Sequence, residues 1–171
     1  TEKGQGTLLV TGVVEEEEMG GSAHRLRRRG TARGSVDNVM TVIRKYLGID
    51  PRDYDIHLNF PGGTPLDGPS AGVAIAVSIY SAMKNLVVNN YIAMTGELSI
   101  RGYVKPVGGV IPKIEAAKMA GAKAVIIPKE NWQDSFKTYD LNIVAVDRIE
   151  EVIEQVIFAS EAEIRNETVS V

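Results

Sequence analysis

Residues 61–83 pass directly from a stretch that no regular element tolerates into one that is apolar on nearly every side. Pro61-Gly-Gly-Thr-Pro-Leu-Asp-Gly-Pro-Ser70 holds three prolines and three glycines in ten residues, which makes it a loop. Ala71-Gly-Val-Ala-Ile-Ala-Val-Ser-Ile-Tyr-Ser-Ala-Met83 follows at once. A helix with so little polar surface must be covered on most sides, so the fold has to be layered around it. Pro69 suits the first helical position, where its missing N–H would be unpaired in any case. The start of such a helix offers unpaired N–H groups and a partial positive charge of about 0.5 e. An anion or a developing oxyanion can be held there, and Ser70 stands where loop becomes helix.

The other segments supply layers for this helix. Thr7–Val14 is rich in β-branched residues and reads as a strand. Glu15–Glu18, Gly20-Gly21 and the basic run Arg25–Arg29 then read as a charged hairpin. It is either a docking arm or an edge charged against aggregation. Val36, Val39, Met40, Ile43 and Leu47 keep the spacing of one helical face, with Ser35 as N-cap and Gly48 as stop. Asp55–Phe60 alternates as a half-buried strand does. A short strand over Ile92–Met94, a Thr95-Gly96 turn and an extended piece over Leu98–Val104 come next. Lys113–Ala120 reads as a helix closed by Gly121, and Ala124–Ile127 and Leu141–Val146 as buried strands. Asp147-Arg-Ile-Glu150 resembles a capping box in front of an amphipathic helix carrying Ile149, Val152, Ile153, Val156 and Ile157. The fold class is α+β, with hairpin-containing mixed sheets and packed helices. At 171 residues one domain is expected, because a chain of about 150 residues already buries roughly 70% of its unfolded surface. Its core spans about residues 7–158, followed by a polar tail over 159–171. Trp132 and Met83 read as packing residues.

Charge and composition narrow the function. The net charge of −3 gives no electrostatic footprint for nucleic acid. With no cysteine there are no disulfides, thiolate metal sites or cysteine nucleophiles, and a reducing, cytoplasmic location is expected. Two histidines, His24 and His57, argue against a multi-histidine metal centre. The longest candidate, Val73–Ile79, is interrupted by Ser78 and falls far short of the roughly 18–20 apolar residues that span a bilayer. Thr1–Gly6 has neither the apolar region of a signal peptide nor a starting Met. A piece of a longer protein is expected, whose membrane tether, if it has one, lies in another segment.

Two chemistries compete at the Gly/Pro-rich loop. Gly63-x4-Gly68-Pro69-Ser70 nearly matches the phosphate-binding pattern G-x4-G-K-S/T, but proline stands where the lysine clamp belongs. A small-molecule kinase of the galactokinase–homoserine kinase type remains an alternative on this reading. The other chemistry is nucleophilic attack by Ser70, whose hydroxyl needs a base to take its proton. His57 and a lysine are the candidates. A lysine serves only when neutral, which needs burial or an electropositive setting. Lys113 follows an apolar, Gly/Pro-rich stretch and opens a helix, where the dipole disfavours an ammonium. The residues alone do not pair it with Ser70.

Asp67-Gly-Pro-Ser-Ala-Gly72 resembles the active-site signature of Lon proteases. So do Ala93-Met-Thr-Gly-Glu97, Ser99-Ile-Arg-Gly-Tyr-Val-Lys-Pro-Val-Gly-Gly109 and Lys113-Ile-Glu-Ala-Ala117. Val125-Ile-Ile-Pro128 and Ile149-Glu-Glu-Val152 fit as well, and the likeness runs in order from about Thr7 to Phe158. Pro61-Gly-Gly-Thr-Pro is one residue shorter than the P-E-G-A-T-P loop of A-type Lon, and Glu15–Gly30 also departs from that pattern. The chain is therefore similar to the B-type or another divergent branch.

The resemblance implies the proteolytic-domain fold (ribosomal protein S5 domain 2-like) and a Ser–Lys dyad. It assigns Ser70 as nucleophile and Lys113 as general base. Thr95 matches the threonine that orients the lysine, and Asp67 the acidic residue beside the serine. Backbone N–H groups of Ser70 and Gly68 are the oxyanion candidates. His57 matches a histidine on the preceding strand, structural or groove-lining rather than catalytic. The resemblance further implies unfolded polypeptides as substrates, a hexameric ring, and an AAA+ ATPase module of the parent chain upstream of this segment. Cleavage would need no metal or organic cofactor, with ATP and Mg confined to that module. The alternative within the family is a non-catalytic oligomerisation scaffold, which need not keep both Ser70 and Lys113.

Overall fold

A computed structural model describes residues 2–12, 18–19, 26–27, 31–60 and 68–158. In chain order the elements are β1 (Glu2–Lys3), β2 (Leu8–Gly12), β3 (Glu18–Met19), β4 (Leu26–Arg27), α1 (Thr31–Tyr46), β5 (Tyr54–Phe60) and α2 (Gly72–Lys84). They continue with β6 (Val87–Val88), β7 (Ile92–Met94), β8 (Glu97–Leu98), β9 (Val104–Lys105), α3 (Val110–Met119), β10 (Ala124–Pro128), β11 (Asn142–Val146), α4 (Ile149–Val156) and β12 (Ile157–Phe158).

Two three-stranded sheets organise these elements. One has the order β1-β5-β2, with β1 antiparallel and β2 parallel to β5. The other, β11-β10-β7, is wholly parallel. All five residues of its central strand are buried, as a parallel strand covered on both faces requires. Helices and strands mix as the α+β reading expects. Strands β3 and β4 pair antiparallel, with Glu18 opposite Arg27. The Gly20-Gly21 turn of the expected hairpin lies outside the described residues.

Helix α2 is the centre of the main core. Val73, Ile75, Ala76, Val77, Ile79 and Met83 are all buried, against Val36, Val39 and Ile43 of α1 and Val152 and Val156 of α4. Each fully buried aliphatic side chain contributes roughly 1.5–3 kcal/mol, so the broad apolar surface of α2 is what holds the layers together. A second cluster joins Val110 and Ile114 of α3 to Val125 and Ile127 of β10 and to Phe136. Phe136 also meets Trp132 edge-on at 5.8 Å, and Met83 is buried, so both act in packing.

Three local expectations are corrected. Helix α1 starts at Thr31, so Ser35 is not its N-cap but lies buried inside it. Burial of the Val36 and Val39 face against α2 outweighs a serine's preference for a helix end. Leu98–Val104 is not one extended piece: Gly102 N–H donates to Ser99 O (2.9 Å), and β8 and β9 pair as a hairpin around that turn. At α4 the N-cap is Arg148, one residue later than expected, and Glu151 accepts from its N–H at 3.0 Å. A guanidinium has no acceptor to complete a capping box. Among the described residues, no helix is long and apolar enough to cross a membrane.

Candidate active site

Ser70 lies in a single 3-10 turn, Pro69–Ala71, that feeds α2, with Pro69 at its first position as the sequence suggests. Gly68 precedes the turn at φ 128°, a conformation that side chains avoid. Backbone bonds then lash this junction to the segment after β7. Gly96 N–H donates to Ser70 O (3.0 Å), and Val73 N–H donates to Gly96 O (3.2 Å).

Such close approach needs bare Cα atoms on both sides. A Cβ on Gly96 would lie 2.6 Å from Val104 Cγ1 and 2.8 Å from Val73 Cγ2. On Gly72 it would lie 2.9 Å from Leu98 N and 3.2 Å from Leu98 Cβ. Gly72→Ala therefore pushes α2 and β8 apart, because a backbone nitrogen cannot rotate out of the way. Overpacking of this kind costs about 1–3 kcal/mol, so Tm should fall by roughly 3–10 °C. Gly108→Ala meets nothing within 4 Å and should leave Tm within about 1–2 °C. Thermal unfolding of the two variants checks the contrast.

Thr95 is the hub. Among the described residues it is one of two buried polar ones, 7% exposed, and its N–H donates to Ile126 O on β10 (3.1 Å). Its hydroxyl donates to Ser70 O and accepts from Lys113 Nζ, both at 3.4 Å. Lys113 is the fourth residue of α3, which begins at Val110 rather than at the lysine itself. The fold thus brings Ser70, Thr95 and Lys113 from three separate segments to one place. Among the described residues, no direct hydrogen bond joins the Ser70 hydroxyl to the Lys113 amine; Thr95 links the amine to the backbone carbonyl of Ser70. Asp67 lies outside the described residues, as does His24.

His57 is elsewhere. It sits exposed on β5, with Nε2 2.8 Å from Thr11 Oγ1. The Thr11 hydroxyl also donates to Asn59 Oδ1 (3.1 Å). The imidazole is engaged on its own sheet.

Sequence reasoning missed Gly72 and Gly96, whose role is a contact between distant segments. Gly72 does follow Ser70 by two residues in an otherwise bulky helix, a faint sign of close packing.

The family model described as the Lon protease (S16) C-terminal proteolytic domain matches residues 3–159. Lon protease 2 of Bacillus subtilis is 52% identical over 154 residues, 90% of this chain and 28% of that protein. Archaeal Lon protease of Pyrococcus abyssi is 42% identical over 164 residues, 93% of this chain and 15% of that protein. Lon protease of Azorhizobium caulinodans is 40% identical over 162 residues, 88% of this chain and 17% of that protein. The chain belongs to the Lon proteolytic-domain family, and it spans less than a third of the length of these relatives.

Proposed function

We propose that this chain is the serine peptidase part of an ATP-dependent Lon protease, with Ser70 as nucleophile and Lys113 as general base. The observation that carries the reading is the seat of the Lys113 amine on Thr95, whose hydroxyl is bonded to the carbonyl of Ser70 itself. Thr95 is the positioning residue, and Asp67 is the acidic neighbour that the family resemblance assigns.

Unprotonated Lys113 takes the Ser70 hydroxyl proton as Oγ attacks a peptide carbonyl. The tetrahedral oxyanion is held at the start of α2, with the Ser70 N–H as one donor. A donor of this kind is worth roughly 3–4 kcal/mol of barrier. As the C–N bond breaks, Lys113 returns the proton to the leaving amine and Ser70 is left acylated. Water then attacks the ester, gives a proton to Lys113 and releases the acid, and Lys113 restores the serine hydroxyl.

The substrate class is unfolded polypeptide, bound extended so that main-chain pairing outweighs side-chain choice. The residues form one proteolytic domain. The parent protein works in the cytoplasm or tethered to a membrane, as a hexameric ring. Its AAA+ module uses ATP and Mg to deliver substrate, while cleavage needs no cofactor of its own. No observation favours the kinase or scaffold alternatives.

A serine-directed peptidyl phosphonate tests the reading. Peptide mass spectrometry should place one adduct per chain, on Ser70. An adduct confined to another hydroxyl would overturn the assignment.

A further inference from the structure

Strand β10 supports both ends of the Lys113–Thr95 contact. On one side Ile126 O takes the Thr95 N–H. On the other, Val110 and Ile114 of α3 pack with Val125 and Ile127 of the strand. Apolar packing is non-directional. It sets how far α3 stands from the sheet, whereas a hydrogen bond also fixes a point along the helix axis, where one rise is about 1.5 Å. A slip of that size would carry the amine off Thr95.

A directional tie exists one turn beyond β10. Asn131 closes the 3-10 turn Lys129–Asn131. Its Oδ1 accepts from Val107 N–H at 2.8 Å, and its Nδ2 donates to Val107 O at 3.0 Å. The side-chain amide thus replaces a strand neighbour for Val107, and both residues are half-buried. Val107 leads through Gly108 to Gly109, the N-cap of α3. The neighbouring Lys105–Glu130 pair (2.6 Å) is about half exposed on both sides, where ion pairs contribute little.

We propose that Asn131 is the positioning residue that fixes where α3 begins, and so holds the Lys113 amine on Thr95. The proposal deepens the reading of Lys113 as the base and rests on it for its catalytic consequence.

Competitive acetylation with acetic anhydride, read by peptide mass spectrometry, reports the environment of each lysine without requiring turnover. In Asn131→Ala, the reactivity of Lys113 relative to Lys84 and Lys137 should rise about fivefold, the factor carried by one ordinary hydrogen bond. Asn131→Asp keeps the acceptor for Val107 N–H but sets a carboxylate oxygen against Val107 O, so its ratio should rise as well. Circular dichroism checks that both variants are folded, and the aspartate variant carries the test if the alanine variant is not. Phe136→Leu loosens the apolar packing of α3 without touching Val107. It should lower Tm and leave the ratio as in the unaltered chain. In a peptide assay Asn131→Ala should lose kcat about tenfold with KM little changed.

An unchanged Lys113 ratio in the Asn131 variants would overturn the proposal, as would an equal rise in Phe136→Leu. Turnover that survives loss of Lys113 would instead reject the base assignment and leave the acetylation result to judge Asn131 separately.

Discussion

Ser70→Ala should leave the chain folded and its peptidase activity at background. The fold uses Ser70 through its main chain: the carbonyl accepts from Gly96 N–H and from the Thr95 hydroxyl. Alanine keeps both bonds, so Tm should move by no more than about 1–2 °C, as for a substitution away from special features. Turnover is different. Without a nucleophile only binding and the oxyanion donors remain, and kcat should drop by roughly 10³-fold or more. Hydrolysis of an unstructured fluorogenic peptide, measured beside thermal unfolding, checks both halves. Retained turnover in a clean preparation would reject Ser70 as the attacking group.

Lys113→Arg should be equally inactive, and it separates two roles that lysine combines. Arginine preserves the positive charge and most of the aliphatic stem, so an electrostatic or packing role would survive in large part. It cannot act as a base, because a guanidinium does not deprotonate in proteins. If the amine of Lys113 takes the proton of Ser70, kcat should again fall by roughly 10³-fold or more, the scale of losing a member of a catalytic unit that acts together. Half-buried Lys113 is fourth in α3 and bonds Thr95 only through its Nζ. The helix itself should therefore persist, and circular dichroism should be unchanged. Arginine turnover within tenfold of lysine would remove Lys113 as the base.

Much of this arrangement is legible in the amino-acid sequence. The apolar face of α1 and the alternation of β5 follow from side-chain period alone. The junction at Ser70 follows from the proline and glycine content of the loop and the unbroken apolar run behind it. Family resemblance names Ser70, Thr95 and Lys113, and the structure brings those three to one place. What the residues do not announce is the geometry between distant segments. Nothing local marks Gly96 as the surface on which Val73 and Val104 close. Nor does anything local mark Asn131 as the partner of a residue 24 positions earlier. Ser35 misled for the opposite reason: a real local preference for helix ends yields to burial of the α1 face. The turn at Ser99–Gly102 hid inside a seemingly continuous run because glycine permits both extended and turning backbone.

The most direct test is a crystal structure of the chain with Ser70 carrying the peptidyl phosphonate. With substrate-like contacts in place, catalytic hydrogen bonds tighten relative to the free site. The expected result is phosphorus bonded to Ser70 Oγ, with Lys113 Nζ about 3 Å from that oxygen and still on Thr95. An adduct on Ser70 with the Lys113 amine turned away, beyond hydrogen-bond reach of the serine oxygen, would contradict the account.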